Sequence, residues 1–129
     1  MGNDVKRDDP LSAEVLGAAF AVANTLGHGF LEAVYRRAMV RELSLKGILV
    51  EEEVGFSVTY KGQQVGRYRA DLVVDGRIIV ELKCVERLVS PHVAQTFNYL
   101  RASGLSVALL VNFGRPRIEW KRLYLGEGF

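Results

Sequence analysis

Between Arg69 and Val85 the chain reads RADLVVDGRIIVELKCV: two apolar runs meet at Asp75-Gly76, with Asp71, Glu81 and Lys83 set among the hydrophobics. A charge inside an apolar strand carries a large desolvation cost unless it is paired, hydrogen-bonded or bound to a metal. Two carboxylates and a lysine in one short hairpin are therefore candidates for metal-assisted chemistry. The ordinary alternative is a solvated Glu-x-Lys ion pair on a half-exposed strand, which contributes little.

Whether the three residues can act together depends on the turn between them. Glu81 and Lys83 lie two apart, so they share a face, with Leu82 and Cys84 opposite. A plain two-residue turn at Asp75-Gly76 would pair Val74 with Arg77, set Asp71 opposite Val80 and send its carboxylate to the other face. A three-residue loop of Val74, Asp75 and Gly76, with Gly76 left-handed, would instead pair Val73 with Arg77 and Asp71 with Ile79. A β-bulge has the same effect on parity. A shared site thus predicts a register shift of one residue at this turn.

The elements that must carry the hairpin follow from periodicity and its breaks. Asp9-Pro10 is a helix start, Asp as N-cap and Pro at the first position, after a flexible polar tail over residues 1–9. The helix runs to about Leu26, with Val15, Leu16, Ala19, Val22, Ala23 and Leu26 at three- and four-residue spacing. After Gly27-His28-Gly29, a second helix over about 30–46 places Leu31, Val34, Ala38 and Leu45 on one face and stops at Gly47. Residues 48–54 read as a strand whose Glu51-Glu52-Glu53 face solvent at an edge, and 56–60 and 63–69 as a hairpin through Lys61-Gly62. Ser90-Pro91 opens a third helix, Ser as N-cap, ending before Gly104. Residues 106–113 form a nearly all-apolar, central strand, and 117–125 alternate as a strand toward an edge. No repeat or linker divides the chain, so 1–129 reads as one domain.

Bulk properties limit what this domain can be. At 129 residues, 49% hydrophobic and 25% charged, it can bury a real core. A net charge of +2 and a pI near 8.8 permit a nucleic-acid partner without requiring one. The single cysteine, Cys84, forms no internal disulfide or zinc pair and reads as a small core residue in a reducing cytoplasm. No secretory segment opens the chain and no apolar run approaches the ~18 residues that span a bilayer, so the expectation is a soluble cytoplasmic protein. His28 and His92 have no second histidine at metal spacing, although His28, four residues before Glu32, can approach a site's mouth. Glu32 can pair with Arg36 one turn on. Gln95 alone says nothing, and Tyr99 fits a core aromatic with its hydroxyl at the surface. Arg115, Arg117, Lys121 and Arg122, with Trp120 among them, can meet phosphates and a base, or simply form a solvated edge.

Taken together, an acidic residue, an apolar hairpin, Glu-x-Lys and then Gln95-x-x-x-Tyr99 on a helix resemble the PD-(D/E)XK nuclease superfamily, the helix motif its RecB-like branch. Gly29-Phe30-Leu31-Glu32-Ala33-Val34-Tyr35 is similar to the signature of the small GxxExxY proteins grouped there, and the likeness extends from about Leu16 to Leu123, including Val111-Asn112-Phe113-Gly114. Ala70 stands where the superfamily's proline is expected, and His28 where the GxxExxY pattern has proline. The resemblance implies an α/β, restriction-endonuclease-like core, a central mixed sheet flanked by helices. It also implies a Mg²⁺-dependent nuclease, with Mn²⁺ able to substitute, acting on DNA or RNA. Asp71, Glu81 and the Leu82 carbonyl would hold the metal, with Glu32 adding a carboxylate to the metal or its waters. Lys83 would act on the attacking water or phosphate, Gln95 on substrate or Lys83, and Tyr99 on the backbone or Gln95. So small a domain leaves little surface for gripping a duplex, which a homodimer or accessory partner would supply. The alternative is a non-catalytic nucleic-acid-binding or accessory protein that keeps the fold.

Overall fold

The computed structural model describes residues 9–126, so residues 1–8 of the expected tail lie outside the described residues. Asp9 is not tail: its carboxylate accepts a hydrogen bond from Leu11 N at 2.8 Å and pairs with Arg77 at 2.9 Å. It caps α1 (Pro10–Leu26), which buries Val15, Ala18, Ala19 and Val22. Helix α2 (Glu32–Leu45) starts two residues later than expected, and its buried face is Tyr35, Met39 and Leu43. Leu31 and Leu45, expected on that face, are 79% and 65% exposed. The apolar pattern runs on through a loop, and residue type alone does not show where the helix begins.

Five strands follow: β1 (Val50–Tyr60), β2 (Gln63–Val74), β3 (Ile78–Lys83), β4 (Val107–Asn112) and β5 (Glu119–Tyr124), with α3 (Ser90–Ser103) between β3 and β4. The two strands expected on either side of Gly55 are one continuous strand, because the ladder to β2 holds through Gly55, paired with Arg69. Spatial order is β1-β2-β3-β4-β5, with only β3 and β4 parallel. Glu51 to Glu53 lie exposed on edge strand β1, and every residue of β4 is buried, both as expected. Helix α3 is capped one residue earlier than expected: Val89 holds the cap position, and His92 Nδ1 accepts a hydrogen bond from its N–H at 3.1 Å. That is the role of His92.

The sheet is covered on both faces. Leu72, Val74, Val80, Leu82, Leu109 and Val111 pack against α1 and α2, whereas Ala70, Val73, Ile79 and Ala108 pack against α3 through Leu100 and Phe97. Cys84 lies against the first cluster, away from Glu81. By the alternation of β3, Glu81 and Lys83 face α3.

Candidate active site

The turn that decides the site shifts the register by one residue, but in the opposite sense to the expected loop. Val74 pairs with Ile78, Val73 with Ile79 and Leu72 with Val80, so the extra residue is Arg77 rather than Val74. Asp75 and Gly76 both take left-handed backbones, φ 54° and 63°, and Arg77 N donates to Val74 O at 2.9 Å to close the turn. Asp and Gly tolerate that region, which explains why the pair sits there. Continuing the register sets Asp71 level with Glu81, where Ile79 was expected.

At that level side chains replace the backbone ladder. Asp71 N donates to Glu81 Oε2 at 2.9 Å, and Leu82 N donates to Asp71 Oδ2 at 2.8 Å. Each carboxylate commits one oxygen to the opposite strand, and neither Oδ1 nor Oε1 carries a hydrogen bond among the described residues. Strand β2 also turns over here. Ala70 packs toward α3 but Leu72, two residues on, packs toward α1 and α2, and Glu53 of β1, across from Asp71, has φ 50°.

Burial and repulsion load this pair. Glu81 is 4% exposed; burial first, and then the charge of Asp71, push its carboxyl up to about 8. Burial raises Asp71 as well, against the Leu82 N–H and the charges of Lys83 and Arg36, which pull it down. Two hard oxygen donors, each with a free oxygen and each short of positive charge, fit a divalent cation such as Mg²⁺.

The other expected residues gather unequally. Lys83 Nζ donates to Gln95 Oε1 of α3 at 3.3 Å. Tyr99, one turn on, stacks on Tyr68 at 3.9 Å and 7°, with Phe56 stacked beyond, and Tyr68 Oη donates to the Tyr99 carbonyl at 2.6 Å. This stack pins α3 to β1 and β2 and so aims Gln95 at Lys83. Burial raises the Tyr99 hydroxyl, and the charges of Glu81 and Asp71 add to that. Glu32, exposed at the start of α2, is near enough for its charge to raise Glu81 and Cys84. No three His, Cys, Asp or Glu side chains among the described residues form a ready-made metal group, so Glu32 stands outside the Asp71–Glu81 pair. The basic run does not form one surface. Arg115 and Arg117 occupy the β4–β5 loop, at the sheet end where Lys83 pairs with Asn112; neighbours Lys121 and Arg122 point to opposite faces, and Arg122 Nε is buried.

Three supports escaped sequence reasoning. Asn112, fully buried, accepts from Val85 N at 3.0 Å and Gly114 N at 2.9 Å, and donates to Val85 O at 2.9 Å and Glu119 Oε1 at 3.2 Å. With Phe113 N donating to Lys83 O at 2.8 Å, it fixes the chain just past Lys83. A Cβ on Gly114 would lie 2.3 Å from Val85 O, so this crossing requires glycine. Tyr35 Oη donates to Gly27 O at 2.6 Å and accepts from Phe30 N, tying down the loop that presents Glu32, while its ring stacks on Phe113 at 4.5 Å. Tyr68 is the third. Tyr35 and Asn112 stand in segments that carry the resemblance, but their contacts do not follow from the sequence, and Tyr68 left no trace there.

A mixed five-stranded sheet with helices on both faces, carrying Asp71 and Glu81-x-Lys83 on an antiparallel pair, defines a restriction-endonuclease-like α/β domain. The sequence profile of the PD-(D/E)XK nuclease superfamily matches residues 9–123, and the chain belongs to that superfamily. A search of curated proteins finds no match. Among solved structures, the crystal structure of SSO0001 is similar, with a TM-score of 0.53 and 20% identity over 74% of this chain and 51% of that one. The chain therefore spans about half the length of that structure, and the likeness is one of fold. Among the described residues no helix is long and apolar enough to cross a membrane.

Proposed function

We propose that this chain is a Mg²⁺-dependent nuclease of the GxxExxY family, in the RecB-like branch of the superfamily, acting on DNA in the cytoplasm, alone or as a dimer. The observation that carries the reading is the crossed pair of hydrogen bonds, Asp71 N to Glu81 and Leu82 N to Asp71, which holds a buried and a half-buried carboxylate on facing strands with one oxygen of each to spare. Asp71, Glu81 and the Leu82 carbonyl would hold the cation, with Mn²⁺ able to substitute. When bound, a hard divalent cation neutralises charge on the scissile phosphate and makes water acidic enough to attack it. Lys83, held by Gln95, presents a fixed ammonium to the phosphate or the attacking water. Glu32 orients a water at the mouth, Tyr99 keeps α3 and Gln95 in place, and Arg115 and Arg117 meet the flanking backbone.

Linear, circular and single-stranded DNA and RNA, incubated with the protein in Mg²⁺, Mn²⁺ or EDTA, test this directly. Cleavage is expected only with metal, and Asp71→Ala or Lys83→Ala should each remove it. Cleavage that persists in EDTA, or in both variants, overturns the assignment. A folded protein that cuts none of these substrates with metal favours the non-catalytic accessory reading.

A further inference from the structure

Just past Lys83 two loops run side by side, and each carries an exposed arginine. Residues 84–89 join β3 to α3 and hold Arg87; residues 113–118 join β4 to β5 and hold Arg115. Between the loops lies a cleft of about 370 Å³, lined by Glu86, Arg87, Gly114, Arg115 and Pro116. Among the described residues Arg87 makes no ion pair or hydrogen bond, whereas Arg115 Nη1 lies 3.9 Å from Glu119 Oε1.

Both loops meet on the face of the sheet that holds the site. Lys83, Asn112 and Glu119 are paired in one row across β3, β4 and β5, and paired residues share a face, which for Lys83 is the face toward α3. Leu88 N donates to Glu119 Oε1 at 2.9 Å, so the loop that carries Arg87 folds over this row, and the same oxygen draws in Arg115. With strands about 4.8 Å apart, Glu119 lies roughly 10 Å along the row from Lys83.

The cleft is built before any ligand arrives. Asn112 bonds to Val85 in one loop and to Gly114 in the other, and the two backbones touch at that crossing. Groups held in place lose little freedom when a ligand binds. Two guanidinium groups against the single acid Glu86 leave the lining one positive charge in excess, which matches the one negative charge of a phosphodiester. Glu119 already accepts from Leu88 N and Asn112 Nδ2, so its long contact with Arg115 is a weak exposed pair that a phosphate can replace. A guanidinium fork suits a phosphate, and Arg87 has no partner through which to serve the fold.

We propose that Arg87 and Arg115 grip one backbone phosphate of a nucleic-acid strand in this cleft, beside the position that Lys83 serves. The inference rests on the nuclease reading and deepens it: Arg87 joins the binding surface, Arg115 acquires a defined subsite, and Arg117 lies outside the lining. A contact of this kind supplies affinity and register and leaves bond cleavage itself unchanged.

Binding of labelled single-stranded and duplex DNA in EDTA, measured by fluorescence anisotropy over a series of salt concentrations, tests the cleft without requiring cleavage. Arg87→Ala and Arg115→Ala should each weaken binding several-fold, and Glu86→Gln should strengthen it. Because one phosphate is shared, the double alanine variant should lower the slope of log affinity against log salt by one phosphate only, roughly 0.9 for duplex and 0.7 for single strands. Lys46→Ala, at the far end of α2, should change neither affinity nor slope. A drop of about twice that size in the double variant assigns two separate phosphates and overturns the shared cleft. Arg87→Ala with wild-type affinity and slope overturns it as well, and the nuclease reading stands. The expected binding changes in a protein that cuts no substrate with metal overturn the nuclease reading alone, and wild-type protein that binds no nucleic acid, in EDTA or in Mg²⁺, overturns both.

Discussion

Glu81→Gln is expected to lower metal-dependent cleavage by roughly a thousandfold, about 4 kcal/mol of barrier, while making the metal-free protein more stable than wild type above pH 8. The carboxyl of Glu81 is held near 8 because it is buried beside Asp71. The folded state thus keeps a proton that the unfolded chain releases near 4.5. Stability from that proton is present in full below the unfolded value and is lost as the pH rises through about 8. Asp71 is shifted in the same direction. Above pH 8 the wild-type fold must hold two adjacent carboxylates, and glutamine removes one charge while its carbonyl can still accept from Asp71 N. Thermal melts in EDTA from pH 5 to 9 should show wild type losing on the order of 2 kcal/mol more than the variant, several degrees in Tm. Saturating Mg²⁺ should reverse the order, because only wild type supplies both ligands. Parallel melting curves for the two proteins across this range would show that the pair is not strained.

Asn112→Ala is the second large effect, on stability. The amide is fully buried and makes four hydrogen bonds, three of them to the backbone of Val85 and Gly114. Alanine leaves those backbone groups without a side-chain partner in a buried site where Gly114 and Val85 already run in close approach. The expected loss is about 3–4 kcal/mol in a denaturant titration. Where the variant remains folded, cleavage should fall as well, since the segment released follows Lys83. A loss under 1 kcal/mol would mean that water takes over the role of the amide.

The candidate site was legible because its charges violate their surroundings. Asp71, Glu81 and Lys83 stand out as charges in apolar strands, and the spacing of Glu81 and Lys83 places them on one face without any tertiary information. Parity then required a slipped register, and the hairpin slips; the extra residue proved to be Arg77 rather than Val74 because both alternatives restore the same parity and only the assembled ladder chooses between them. The expected strands 48–54 and 56–60 stop on either side of Gly55, a residue that weakens a strand locally, whereas its ladder with β2 holds it extended. Leu31 was assigned to a helix face because apolar spacing does not stop where a helix does; Tyr35, clamping the loop through its hydroxyl, sets that boundary. Asn112 and Tyr68 act through contacts distant in sequence, which no local pattern encodes.

The most direct test is titration of Mn²⁺ into metal-free protein at pH 8, followed by calorimetry in two buffers of different ionisation enthalpy. Saturable binding is expected in wild type, with a heat that differs between buffers because the Asp71–Glu81 pair releases its proton as the ion enters. Asp71→Asn and Glu81→Gln should each weaken binding at least tenfold. Wild-type affinity in both variants would contradict the assignment of this pair as the metal site.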